Sequence, residues 1–421
     1  MKNPFFGLSS FQILAMFRRG LFYTYLSIYL RNFLNLSVTE TTLYATLPMI
    51  MSVIFQNFVW GPLSDKFQKR RTFIISGEII AGIGTILVWL IHHSFTDYYL
   101  AGYVIIIGLS CVEIFWSMSN IGWSALISDL YPSLDRSKIM GRLTSIGGLG
   151  RMIGIFFGGI LYDNGYGFRN GDLFFIASSI MFLSTIPMFF TPEGGIIYAK
   201  NAKNINFNTD NNVSERFRFI FFMFILSLIF INFGRNSIAT TYSQFLVLDS
   251  GFNVDSLTLS FIANARSFAV LIIGMFAGLL SKKFGHSKSL IFGISLGIIA
   301  LIITATAFYL SLIFVGSFLM GTSEVIIYAS SYALASDLIP PKFRARFFGI
   351  YNATFFLSWG LASTIISGPL IDYLITIMNY SEVFSYQISF IVAAIITTMG
   401  LLIFVLLHIY TILIRKKIKK N

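Results

Sequence analysis

Twelve separate runs of mostly apolar residues constrain this chain more than any other feature. A helix needs about 20 such residues to cross a bilayer. The runs lie at roughly 11–30, 41–60, 72–92, 99–127, 140–161, 172–191, 218–246, 257–280, 289–309, 311–335, 346–370 and 384–410. Most connections between them are too short to fold alone, and the narrowest requires an outer turn at Tyr309 and Ser311. The chain is 11% charged, against about 25% in soluble domains. That excludes an ordinary soluble enzyme and a disordered chain, and the single cysteine, Cys111, excludes a disulfide scaffold. Arg18 and Arg19 interrupt the first run and no small-residue cleavage site follows, so this run reads as a span and not a cleavable signal.

The net charge of +12 would suggest a nucleic-acid partner in a soluble protein. Its placement argues otherwise. With the N-terminus in the cytoplasm, 23 of the 30 Lys and Arg residues fall inside, only Arg31 and Arg169 outside, and five at membrane depth. This is the positive-inside pattern, with basic loops against anionic inner-leaflet lipid. The expectation is a multi-pass protein of the cell membrane with both termini cytoplasmic, no nucleic-acid partner, and a functional monomer.

Residues 192–217 form the one long polar stretch, opening with Pro192-Glu193-Gly194-Gly195 and running into an Asn-rich segment. Asp129-Leu130, Pro132, Arg136 and Gly141 recur as Asp337-Leu338, Pro340, Arg344 and Gly349, offset by 208. Phe17, Arg19 and Thr24 recur as Phe233, Arg235 and Thr240, offset by 216. The expected architecture is therefore an all-α membrane protein of twelve helices in two duplicated bundles. Residues 1–191 and 218–421 would be the bundles, joined by a cytoplasmic linker at 192–217. Duplicated membrane bundles commonly form transporters, with the site at mid-membrane between the repeats.

The loop after the second span reads Gly61-Pro62-Leu63-Ser64-Asp65-Lys66-Phe67-Gln68-Lys69-Arg70-Arg71. It resembles the signature loop of the major facilitator superfamily, Gly-x-x-x-Asp-(Arg/Lys)-x-Gly-(Arg/Lys)-(Arg/Lys). Gly61, Asp65, Lys66, Lys69 and Arg70 fit, whereas Gln68 stands where the family has glycine. The second half keeps Gly278 and Gly285 but has Lys282 in place of Asp65. The resemblance implies a latch in which Asp65 sits at the start of span 11, near residues 346–348, and Arg70 or Arg71 reaches Asp129, with Arg136 beside it. The plainer reading of the basic residues is positive-inside charge.

Span 5 carries Gly141, Gly150, Gly154, Gly158 and Gly159. This spacing resembles the glycine motif of drug–proton antiporters in the same superfamily, with Ile155 in place of its proline. Such glycines also let helix backbones approach closely in lipid. The Arg-containing motif expected in span 4 of such exporters is absent, and Glu113 stands in that span instead.

Eight charges lie inside spans: Arg18, Arg19, Glu78, Glu113, Arg151, Arg235, Arg266 and Glu324. Each costs about 2.5–3.5 kcal/mol at mid-membrane on insertion scales, so they must face the interior, pair or titrate. Glu78 lies near enough to the inner end of span 3 to reach the interface. Glu113 and Arg151 are expected to meet, and Arg266 is a candidate partner for Glu324. By the resemblance, spans 1, 4, 7 and 10 line a central cavity. That makes Arg19, Glu113, Arg235 and Glu324 cavity residues, with Arg151 and Arg266 close by. A carboxyl that loses its arginine as the halves rock would take up a proton in one state and release it in the other, so Glu113 and Glu324 are the proton-coupling candidates. A static ion pair is the alternative for each.

No metal-ligand cluster and no phosphate-binding loop is present in the sequence, so no cofactor is expected and the energy source would be a proton gradient. The favoured expectation is a proton-coupled exporter or antiporter of small organic solutes. The alternative is a carrier of organic anions, phosphate esters or carboxylates, gripped by Arg19 and Arg235. A non-transporting scaffold or sensor is the remote third reading, and no constellation of an enzyme is present.

Overall fold

The structure is a computed structural model that describes residues 4–131, 133–195, 215–339 and 344–420. Within the helices, the side chains of residues 133–138, 215–217, 344–346, 348 and 414–420 lie outside that description. The described residues are mostly helical and contain no strand. Long helices occupy each of the twelve runs. In the first half they are α1 (Pro4–Ile28), α2 (Val38–Phe67), α3 (Arg70–Ser94), α4 (Tyr98–Leu130), α5 (Ser133–Leu161) and α6 (Asp172–Met188). In the second they are α7 (Arg218–Val247), α8 (Ser256–Phe284), α9 (His286–Thr306), α10 (Leu310–Leu338), α11 (Gly349–Thr376) and α12 (Glu382–Lys420).

Among the described residues, ten helices are individually long and apolar enough to cross a membrane. An eleventh arises when Asp163–Arg169 and α6, bent by 55°, count as one span. The helix outside this set, α1, carries Arg18 and Arg19 in its middle. Exposed Phe58, Leu87, Ile107, Leu279, Leu402 and Leu406 give the helices an apolar outer face that suits lipid and not water.

Two compact units form, Met1–Ile205 with Asn253–Asn264, and Asn206–Phe252 with Ala265–Asn421. In the first, α1 packs along α5 in the same direction with a constant register. A methyl added to Gly150, Gly154 or Gly158 would run into the backbone oxygens of Ile13, Phe17 or Leu21. Gly20 answers from α1, where an added carbon would lie 2.9 Å from the Ile155 nitrogen. Small residues on both sides thus bring two backbones into contact, which is how helices gain packing energy where lipid removes the hydrophobic drive. Gly141, at the inner end of the same motif, faces open space. The first turns of α8 group with this unit, where Ser256 Oγ donates to the Gly159 carbonyl at 2.6 Å and Asn264 Nδ2 to that of Met152 at 3.2 Å.

In the second unit the corresponding pair, α7 and α11, is joined by polar side chains. Asn232 Nδ2 donates to Thr354 Oγ1 at 3.2 Å and Asn236 Nδ2 to Ser358 Oγ at 2.9 Å. Phe221, Phe224, Leu228, Ile294 and Tyr351 pack the inner core beside them.

Two helices carry a π-helical turn directly before a Gly-Pro pair, Gln56–Trp60 ahead of Gly61-Pro62 and Ser363–Ser367 ahead of Gly368-Pro369. Proline has no N–H for the preceding turn, and the wider turn absorbs the loss. Gly61 is required locally, because an added Cβ would lie 2.7 Å from the Gln56 carbonyl oxygen.

Candidate functional site

The signature loop folds around one buried arginine. Arg70 opens α3, and its guanidinium donates to Asp65 Oδ1 at 3.0 Å, Ser64 Oγ at 2.6 Å and Asp129 Oδ2 at 3.2 Å. Asp65 is 76% exposed, so its pair is held weakly, while Asp129 is 16% exposed and also accepts from the Gly195 N–H at 2.9 Å. The neighbouring Arg71 pairs with Glu193 at 3.1 Å. Glu193 accepts in addition from the Thr72 N–H at 2.9 Å, placing a carboxylate at the N-terminus of α3. The stretch that sequence reading treats only as the opening of a linker is thus a strap that ties α6 to α3 and α4.

Lys66 and Lys69 are exposed. Gln68, the departure from the family pattern, sits at φ 56°, where glycine carries no penalty. Its backbone N–H donates to the Ser64 carbonyl at 2.9 Å and its side chain to that of Asp65 at 2.6 Å, which holds the turn without glycine. In the second half Gly285, at the corresponding place, also has a positive φ, 89°, but with an extended ψ of 142°. There Asp337, the repeat of Asp129, faces His286 at 3.8 Å. The side chains of Arg136, and of Arg346 and Phe348 at the start of span 11, lie outside the described residues.

Deeper in the first unit, four charges gather about Trp116. The guanidinium carbons of Arg18 and Arg19 lie 4.2 and 4.7 Å from its ring centre. Its indole N–H donates to Glu78 Oε1 at 2.9 Å, which Ser119 Oγ also meets at 2.8 Å. Glu78 is 1% exposed, so it does not reach the inner interface as its depth suggests; Trp116 and Ser119 hold it in the interior. Glu113 is also buried and takes a hydrogen bond from Ser52 on α2. The arginines that act on it are Arg19 and Arg18, not the expected Arg151, which stands exposed on α5. α1 supplies these charges because the glycine seam turns its Arg19 face away from α5.

In the second unit Arg266 on α8 holds Glu324 on α10 through both Nε and Nη2, at 3.1 and 2.7 Å. Arg235 on α7 lines a small cavity with Arg266, Gly297, Leu301 and Met320. Among the described residues no carboxylate lies within 4 Å of Arg235, so it remains a cation without a direct counter-ion. Both units therefore carry carboxyls and guanidiniums at mid-depth on equivalent helices, α1 with α4 and α7 with α10. No group of three or more metal-ligating side chains occurs among the described residues.

The family model described as Major Facilitator Superfamily matches residues 8–257 and 224–417. The chain belongs to the major facilitator superfamily. Solved structures of this fold agree along nearly the whole chain. A bacterial homologue of the human lysosomal transporter Spinster, inward-facing and unoccupied, is 15% identical over 96% of each chain, with a TM-score of 0.70. The nucleoside transporter NupG is 15% identical over 96% of this chain and 99% of its own, with a TM-score of 0.71. An auto-inhibited peptide transporter of the POT family is 13% identical over 96% of each, with a TM-score of 0.68. No curated protein matches the chain. This facilitator is a multi-pass membrane transporter, and its fold class is the one the duplicated sequence implies.

For this facilitator the exposure of Asp65 sets the expected result of Asp65→Asn. The change removes a weak surface pair and leaves Arg70 on Asp129 and Ser64, so protein yield and substrate affinity stay near wild type while turnover slows. Transport rate in proteoliposomes, with substrate binding measured alongside, checks it. Unchanged turnover would remove Asp65 from any latch.

Proposed function

We propose that this transporter moves a small organic solute by alternating access and couples that movement to protons through Glu113 and Glu324, working as an exporter or antiporter. The observation that carries the reading is a carboxyl with guanidinium groups beside it in both halves. Glu324 shares a two-bond contact with Arg266, and Glu113 is buried beside Arg19 and Arg18 without a direct ion pair. A carboxyl whose distance from an arginine changes when helices shift, whether by breaking a pair as at Glu324 or by moving the arginines beside Glu113, is a group whose charge state responds to that shift. The five glycines of α5 fit the antiporter-like resemblance, but Gly150, Gly154 and Gly158 are accounted for by packing against α1, so they add nothing to the direction of transport.

The test is reconstitution. Proteoliposomes with an imposed pH difference should accumulate or extrude a transported solute against its gradient, and the effect should collapse with a protonophore. Equal rates with and without the pH difference would end the proton reading. The orientation proposed with it, both termini in the cytoplasm of the cell membrane, rests on the distribution of Lys and Arg, and a reporter fused after Lys420 reads it directly.

A second reading has its own support. Arg235 lines a cavity with no carboxylate at ion-pair distance, and Arg19 is exposed on the surface of its unit with its guanidinium over Trp116. Two such guanidiniums suit an organic anion, a phosphate ester or carboxylate. In the same proteoliposomes, uptake of anions that Arg235→Ala abolishes would favour this reading over a neutral or cationic solute.

A further inference from the structure

Arg18 and Arg19 are neighbours in α1, yet both guanidiniums come to one ring. Their carbons lie 4.2 and 4.7 Å from the centre of Trp116, and Arg18 is 4% exposed. Two like charges so placed repel, and more strongly inside a protein than in water. The electron-rich indole draws each of them by about 0.5–2 kcal/mol. The edge of the same indole strengthens that pull. Its N–H donates to Glu78 Oε1 at 2.9 Å, and Ser119 Oγ holds the same oxygen at 2.8 Å. A donor bonded to a buried carboxylate is polarised towards it, which leaves the ring more negative. Glu78 thus acts as counter-ion to both arginines through the ring. Among the described residues no guanidinium lies within 4 Å of it.

Glu113 stands three residues before Trp116 on α4, on the neighbouring turn of the same face. The groups that carry or can carry charge beside it are Arg18, Arg19 and Tyr23 of α1 and Glu78 of α3, while α2 offers the neutral Ser52 hydroxyl. A buried carboxylate next to a guanidinium is expected to close into an ion pair, as Glu324 does with Arg266 in the second unit. At Glu113 neither arginine comes within 4 Å. The guanidiniums are on Trp116 instead.

We propose that Trp116 is a positioning residue for proton exchange at Glu113: it keeps Arg18 and Arg19 on its ring, short of an ion pair, so that the carboxyl takes up and releases a proton without breaking a salt bridge. The proposal rests on Glu113 as the proton site and names what keeps that site unlocked. Trp116 handles no proton itself. It acts only through the place it gives the arginines.

The experiment reads the proton directly. Dicyclohexylcarbodiimide reacts with a protonated carboxyl and not with a carboxylate, and mass spectrometry counts the modified peptide. Purified wild-type protein should be labelled at Glu113. Trp116→Met fills the space with an adaptable apolar side chain but removes the ring. Arg18 should then close on Glu113, and labelling should fall about tenfold, the effect of one unit in a carboxyl's proton affinity. Trp116→Phe keeps an aromatic face and should retain most of the labelling. A disturbed fold alone could also lower labelling, so the double variant Trp116→Met with Arg18→Gln decides. With no buried charge to close on Glu113, and with exposed Arg19 left hydrated, labelling should return. Neither a gradient nor a solute is used, so failure of pH-driven transport and failure here are separate results. The proposal is overturned if wild-type Glu113 is not labelled, if Trp116→Met is labelled like wild type, or if the double variant stays unlabelled.

Discussion

Glu113→Gln is expected to abolish solute accumulation driven by a pH difference while leaving exchange without a gradient intact. The side chain is buried, bonded to Ser52, and without a guanidinium at ion-pair distance. A proton arriving there displaces no salt bridge, so its binding is set by how far Arg19 and Arg18 on α1 stand from it in each state. Glutamine keeps the shape and the hydrogen bond to Ser52 but can never be charged. It therefore fixes the site in its protonated form, and a carrier that cannot release its proton cannot use a gradient. Glu324→Gln tests the other half. It turns an ion pair into a single charge-assisted bond on Arg266, and it should lower gradient-driven transport and stability together, modestly because the pair is partly exposed. Transport into proteoliposomes with and without an imposed pH difference separates the outcomes. Full gradient-driven accumulation in both variants would leave the carboxyls as static partners of their arginines.

Gly154→Ala is expected to cost most in folding. The methyl group would be driven into the Phe17 carbonyl on α1, and that oxygen belongs to a helix backbone that cannot rotate away. Overpacking costs roughly 1–3 kcal/mol and occasionally more, and a backbone-on-backbone clash belongs at the top of that range. Gly141→Ala, thirteen positions earlier on the same helix, is the control. Nothing stands within 4 Å of Gly141, and alanine is the better helix former by about 1 kcal/mol. It should be neutral or slightly stabilising. Melting of the purified variants in detergent, read with the monodisperse fraction, checks both signs. Equal effects at the two positions would show that the motif is not a packing seam.

The sequence made the fold legible because membrane spans announce themselves by length and apolarity, and because the duplication repeats its marks at nearly fixed offsets. Asp129 as the partner of Arg70 or Arg71 was legible through the resemblance to the superfamily's signature loop, and it is Arg70 that makes the contact. Glu193 and Gly195 were not, since a Pro-Glu-Gly-Gly opening reads as a linker unless one asks which carboxylate caps the N-terminus of α3. Span order suggested Glu113 with Arg151, and it failed because order says nothing of rotation about a helix axis. The glycines decide that rotation by turning one face of α5 to α1, and they leave the Arg151 side chain exposed. Glu78 was misplaced by a depth measured along the helix, which cannot show that Trp116 and Ser119 would hold the side chain inside. The capping box of Ser37 and Glu40 at the start of α2 was readable as Ser-x-x-Glu, and Glu40 also accepts from Tyr99 and Tyr103.

The contact between α1 and α5 has a mechanical meaning. Two parallel helices whose backbones touch at successive turns, with Gly150, Gly154 and Gly158 leaving no side chain to deform at those points, behave as a single stiff beam. Arg18 and Arg19 ride on the α1 side of that beam and Arg151 on the α5 side. Any tilt that carries the first two relative to Glu113 must carry the third by the same angle, so displacement of these three charges is one degree of freedom and not three.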